Sequence, residues 1–166
     1  KIENVDVYIT GSNSKFLSSD IVTEFRGRGT EINVRPLSFS EYRAAIDTDD
    51  RTAWHDYLTY GGLPESVGLV EEDRERYLSD LLRVVYLRDI AERMNVRMPD
   101  VLDTVFDVLS SAIGSLTNPN RISDTMRSRR IKVDGSTVSS YISYLEDAFL
   151  FERSKRFDLK GNGYID

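Results

Sequence analysis

The chain has 166 residues, 40% of them hydrophobic, and a net charge of −6. No apolar run approaches the roughly 18 residues of a membrane span, and the lack of cysteine rules out disulfides and thiolate-held metals. His55 is the sole histidine, so a histidine metal site or catalytic triad has no partners to draw on. Val5, Val7 and Ile9 alternate with Asp6 and Tyr8 and end at Gly11, the pattern of a short strand. Ser12 or Ser14 can cap a following helix through about Phe25, which Gly27 and Gly29 terminate. Glu31 to Val34 alternates as a second strand, stopped by Pro36.

Ser38 and Glu41 have the spacing of a capping box, which predicts a helix starting near Phe39. After the acidic break Asp47 to Asp50, a further helix is expected to turn Trp54, Tyr57 and Leu58 inward. Gly61-Gly62-Leu63-Pro64 predicts a sharp corner, since two glycines give freedom and proline fixes φ. A long amphipathic helix is predicted from Asp73 to about Met94, with Tyr77, Leu81, Val84, Val85, Leu87 and Ile90 as its apolar stripe. Pro99 suits the first turn of the next helix. The apolar positions there are Val101, Leu102, Val105, Phe106, Val108, Leu109 and Ile113, and Gly114 and Asn118-Pro119-Asn120 mark its end.

The charge is unevenly spread. Residues 1–117 carry 13 Lys and Arg against 21 Asp and Glu, whereas residues 118–166 carry nine against seven. Any surface facing a polyanion is therefore expected near the C-terminus. There Asn120 is expected to cap a helix from Arg121 to about Arg129. Asp134-Gly135 reads as a turn, and Asp134 or Ser136 as the cap of a helix from Thr137 to about Leu150. Its predicted buried positions are Val138, Tyr141, Ile142, Leu145 and Phe149. Phe149 to Arg153 and Lys155 to Asp158 read as two short strands or one bent strand.

Helix, turn, helix and β-ribbon is the plan of a winged helix-turn-helix domain. Ser136, Thr137, Ser139 and Ser140 would then offer hydroxyls to a DNA groove, and Arg127, Arg129, Arg130, Lys132, Lys155 and Arg156 would face phosphates. The hydroxyl-rich helix start is equally compatible with ordinary capping, and such units also serve as protein-docking modules.

Five stretches carry a family resemblance: Val5 to Ser14, Arg26-Gly27-Arg28-Gly29, Arg35 to Tyr42, Tyr60-Gly61-Gly62-Leu63-Pro64-Glu65, and Tyr86-Leu87-Arg88-Asp89-Ile90-Ala91-Glu92-Arg93. With them the chain resembles the prokaryotic AAA-type ATPases that join a P-loop core to a C-terminal DUF4143 region. The resemblance implies a mainly α protein with a small amount of β, in three parts. Residues 1–46 would be the end of an α/β P-loop ATPase core, residues 47–117 a helical lid, and residues 118–166 the winged helix-turn-helix.

Thr10, Ser12 and Asn13 are then the candidates for sensing nucleotide, and Arg28 or Arg26 for an arginine finger. ATP and magnesium would belong to the longer parent protein. No Gly-Lys-Ser or Gly-Lys-Thr occurs in this sequence, so these residues alone are expected to bind no cofactor and hydrolyse no ATP. Lys1 is not an initiator methionine, which predicts a section of a longer polypeptide, and the absence of cysteine fits a cytoplasmic setting.

The expected partners are DNA, the remaining core half and the C-terminal domain of the same protein, and a second copy; no membrane contact is expected. Two alternatives from other classes are a stand-alone winged-helix DNA-binding regulator and a protein-interaction scaffold.

Overall fold

A computed structural model describes residues 6, 8, 30, 32, 34–158 and 163–165. The helix expected between residues 12 and 25 and most of the expected strands at 5–9 and 31–34 lie outside the described residues; Asp6, Tyr8, Ile32 and Val34, which are described, are exposed and in no strand. The protein is mainly helical, and its contacts divide into two units. One comprises Thr30–Asp89, and the other Lys1–Gly29 with Ile90–Asp166.

The Thr30–Asp89 unit opens with α1 (Phe39–Ala45) and α2 (Asp50–Tyr60). The capping box forms as the sequence dictates: Ser38 Oγ accepts from the Glu41 N–H, and Glu41 Oε2 accepts from the Ser38 N–H at 2.8 Å. That exchange satisfies two of the helix's otherwise orphaned donors. Asp49 caps α2 by accepting alone, its Oδ1 taking the N–H groups of Arg51 and Thr52. Tyr42 and Ala53 are buried between these helices. Phe39, Trp54 and Tyr57 meet edge to face or stacked, with the Phe39 and Trp54 centroids 4.8 Å apart.

Trp54 and Leu58 do not turn inward as expected; they are 48% and 65% exposed. Helix α2 is a single layer with one inner face. Ala53 and Tyr57, four residues apart, take that face and leave their C-terminal neighbours about 100° away.

The corner after α2 is built as the glycines predict. Gly61 adopts φ 74°, and its N–H caps the helix at the Tyr57 carbonyl. Gly62 packs against the backbone of Leu37, whose N–H donates to the Gly62 carbonyl at 2.7 Å. The Leu37 carbonyl accepts in turn from the Tyr57 hydroxyl at 2.9 Å. A 3₁₀ turn at Pro64–Ser66 leads to α3 (Glu71–Asp80).

The single helix expected from Asp73 to Met94 changes its winding part-way. After α3, residues Leu81–Leu87 are π-helical before α4 (Arg88–Arg93), with the Arg88 N–H bonded to the Arg83 carbonyl. The wider π turn carries side chains off a 3.6-residue stripe. Leu87 and Ile90 are buried, but Val84 and Val85 are 58% and 49% exposed, contrary to the stripe read from the sequence.

In the other unit, α5 (Pro99–Ser111) starts at Pro99 as expected and buries Val101, Leu102, Val105 and Leu109. Ile113 falls past the end of the helix, next to Gly114 at φ 77°, and is exposed rather than core. The next helix, α6 (Pro119–Ser128), is capped by Asn118 and not by Asn120. Proline fits the first helical position because its missing N–H is one that no helix uses. The cap therefore falls one residue before Pro119, and Asn118 Oδ1 accepts from the Asn120 N–H at 2.9 Å.

Helix α7 (Gly135–Asp147) packs on both α5 and α6 and buries Val138, Tyr141, Ile142 and Leu145. It ends before Leu150. Phe149 lies at φ 58° beyond the Ala148 cap and is exposed, which corrects its expected core role. Residues 149–153 form no strand. The ribbon consists instead of β1 (Arg156–Asp158) and β2 (Gly163–Ile165), paired antiparallel with Phe157 opposite Tyr164. Among the described residues, no helix is long and apolar enough to cross a membrane.

Candidate nucleic-acid interface

The turn between α6 and α7 is fixed from beneath. Ser123 is buried and its hydroxyl donates to the Val133 carbonyl at 3.3 Å. Arg127 Nε reaches the same carbonyl at 3.3 Å, and its Nη1 pairs with Asp124 at 3.2 Å. The Arg127 guanidinium is therefore turned onto the turn's own backbone. Arg129 closes α6, and Arg130 follows at φ 66°, a left-handed region that an L side chain enters at a cost of about 1 kcal/mol. The Ile131 N–H bonds back to the Met126 carbonyl, completing the C-terminal cap. Arg129, Arg130 and Lys132 all project into solvent.

Asp134 caps α7 by accepting from the Thr137 N–H at 2.7 Å and from the Ser136 hydroxyl at 2.8 Å. Those bonds, the Thr137 N–H first, hold its carboxyl below the usual aspartate range, so it stays ionised at neutral pH. The start of α7 thus carries a fixed negative charge. The Ser140 hydroxyl donates to the Ser136 carbonyl, and that of Ser143 to the Ser139 carbonyl. Ser139 is exposed, and Thr137 is half-buried beside Met98, Arg127, Lys132 and Val133 around a shallow open depression. Gly135 packs against the Asn120 side chain, which would have to swing aside to admit a Cβ.

The structure thus gathers Arg129, Arg130, Lys132, Ser136, Thr137, Ser139 and Ser140 around one turn. Lys155 precedes β1 and is exposed, and Arg156 lies in β1. Thr10, Ser12, Asn13, Arg26 and Arg28 lie outside the described residues. The sequence marks Asp134 as a candidate helix cap, and the structure makes its carboxylate an acidic element of this surface.

Comparison with known proteins adds a family. A model described as a domain of unknown function, DUF8612, matches residues 51–163. The chain belongs to the DUF8612 family. A second model, described as an AAA domain, matches residues 1–43 and suggests an origin related to AAA-type ATPases.

An uncharacterized protein of Haemophilus influenzae is 38% identical to this DUF8612 chain over 167 residues, 98% of the chain and 42% of that protein. The uncharacterized protein MJ1544 of Methanocaldococcus jannaschii is 25% identical over 168 residues, 93% of the chain and 38% of that protein. The chain thus spans about two-fifths of the length of these curated relatives. No solved structure matches it.

Proposed function

We propose that this DUF8612 chain is a section of an AAA-type ATPase that passes the nucleotide state of its core to a C-terminal winged helix-turn-helix. The observation that carries this reading is the order of the two matched regions. An AAA-like segment at residues 1–43 runs directly into the helical DUF8612 region at residues 51–163. In this reading residues 1–46 close the P-loop core, 47–117 form a helical lid, and 118–166 form the output module, as in the DUF4143 architecture. The antiparallel ribbon after α7 supports a winged-helix assignment for that module.

The sequence has no Gly-Lys-Ser/Thr loop, so it does not fit a nucleotide by itself. ATP and magnesium would be held by residues of the parent protein outside this chain. Thr10, Ser12 and Asn13 stand as its nucleotide sensors and Arg28, with Arg26 second, as its arginine finger. The module's partner is DNA or a neighbouring domain of the same cytoplasmic protein, which a second copy could join.

The full-length gene product is expected to bind ATP with magnesium in a calorimetric titration. Arg28→Ala should leave that binding in place and lower turnover. A full-length product that binds no nucleotide contradicts the reading and favours a stand-alone DNA-binding regulator.

A further inference from the structure

The surface of the α6–α7 pair is divided by charge, and the division selects a partner and a mode of contact. At the turn, the side chains of Arg129, Arg130 and Lys132 extend into solvent and make no hydrogen bond or ion pair with any described residue. Arg130 occupies a left-handed position that a glycine would take without strain. Its guanidinium is therefore presented from a tight, sterically defined knuckle.

Along α7 the surface is different. Its exposed face over the first turns is Ser136, Ser139, Ser140 and Ser143, with no long side chain to reach a base edge. Three of those hydroxyls are already donated within the chain. The ionised Asp134 stands at the end of α7 that a groove-reading helix would insert first. At the far end, Glu146 is neutralised by a two-pronged pair with Arg153 at 3.0 and 3.2 Å. A protein partner normally buries an aromatic or aliphatic anchor, and this serine face offers none. A polyanion needs only the cations.

Resting on the reading of this pair as an output module, we propose that the α6–α7 turn holds the phosphate backbone of a DNA duplex through Arg129, Arg130 and Lys132, and that α7 reads no bases. The serine face then permits close approach of the backbone without specifying sequence. This is contact by charge neutralisation, in which each phosphate engaged releases condensed counterions.

The test is fluorescence anisotropy of this chain with two duplexes of unrelated sequence across a salt series. Equal affinity for both is expected, with a log–log salt slope near −3 for three phosphate contacts. The double variant Arg129→Ala/Arg130→Ala should flatten that slope by about 2. Arg130→Gly separates charge from folding, because it removes the cation while relieving the strained φ. It should weaken binding and raise the thermal midpoint together.

Ser139→Ala should leave binding unchanged. If the arginine variants bind normally and Ser139→Ala or a duplex of different sequence abolishes binding, α7 enters the groove, and the inference fails while the module still contacts DNA. If the unmodified chain binds neither duplex at 50 mM salt, the inference fails and the module docks on protein instead. Neither failure bears on whether the parent binds ATP, which calorimetry decides separately.

Discussion

Gly62→Ala is expected to unfold the Thr30–Asp89 unit while leaving the helices of Ile90–Asp166 folded. A Cβ at residue 62 would fall inside the van der Waals shell of the Leu37 carbonyl oxygen and meet the Tyr57 ring at 3.0 Å. The obstacle is backbone and cannot rotate away. Opening the contact also breaks the Leu37 N–H to Gly62 bond of 2.7 Å and displaces the acceptor of the Tyr57 hydroxyl. Overpacking costs about 1–3 kcal/mol, and each lost hydrogen bond adds about 1 kcal/mol.

A total of about 3–5 kcal/mol approaches the whole stability that marginal stability allows a 60-residue unit. Gly61→Ala provides the contrast. Nothing lies within 4 Å of a Cβ at residue 61, and only its φ of 74° opposes a side chain, so about 1 kcal/mol is expected. The single tryptophan makes the measurement specific. Trp54 sits in this unit against Phe39, and its emission under urea follows this unit alone. Similar urea midpoints for the two variants would contradict the account of the corner.

Arg74→Ala has the second-largest expected effect. Arg74 is buried to 9% exposure, lies 4.8 Å over the Tyr60 ring, donates to the Leu69 carbonyl at 2.9 Å, and faces Asp56 at 3.7 Å. It therefore joins α2 to α3 by charge, by packing and by capping a loop carbonyl. Around it, the Tyr60 hydroxyl donates to Glu71 at 3.0 Å and the Tyr77 hydroxyl to Glu65 at 2.6 Å. Those carboxylates raise both phenols above their ordinary values, with the hydrogen bond the leading cause in each.

Truncation empties the site and leaves Asp56 and the Leu69 carbonyl unpaired. Losing one partner of a buried pair costs about 3–5 kcal/mol. Asp56 is 35% exposed, which discounts the figure to about 2–3 kcal/mol. Arg74→Met keeps the stem and should recover about half of the loss. Urea midpoints followed through Trp54 check both values. An Arg74→Met variant as stable as the natural chain would show that packing alone holds this junction.

What the sequence disclosed followed local chemistry. The Ser38 and Glu41 capping box, Pro99 at a first helical turn, and Asp134 as a helix cap each depend on neighbours within four residues, although the helix after Asp134 starts at Gly135 and not at Thr137. Each stands in the structure where those residues place it. The errors arose where packing or winding decided.

A 3.6-residue period puts Val84 and Val85 on the apolar stripe, but the π segment does not obey that period. Trp54 and Leu58 are exposed because α2 has one inner face and Ala53 with Tyr57 fills it. Phe149 looked like core by spacing, but the chain leaves α7 one residue earlier, at Ala148. At the candidate interface, composition found the basic turn. It could not show that Arg127 folds back onto Val133 and Asp124, or that the Ser140 and Ser143 hydroxyls are spent inside α7. Those are three-dimensional hydrogen-bond choices, and residue type alone leaves them open.

In a coupled machine an event at the nucleotide is felt at the α6–α7 turn. The decisive measurement is the DNA affinity of the full-length gene product with a non-hydrolysable ATP analogue and with ADP, at one fixed salt concentration. A coupled machine should shift that affinity about fivefold or more between the two states, and the Arg129→Ala/Arg130→Ala variant should abolish the shift along with the binding. Identical affinities in both nucleotide states, from a product that binds both nucleotides, would contradict it.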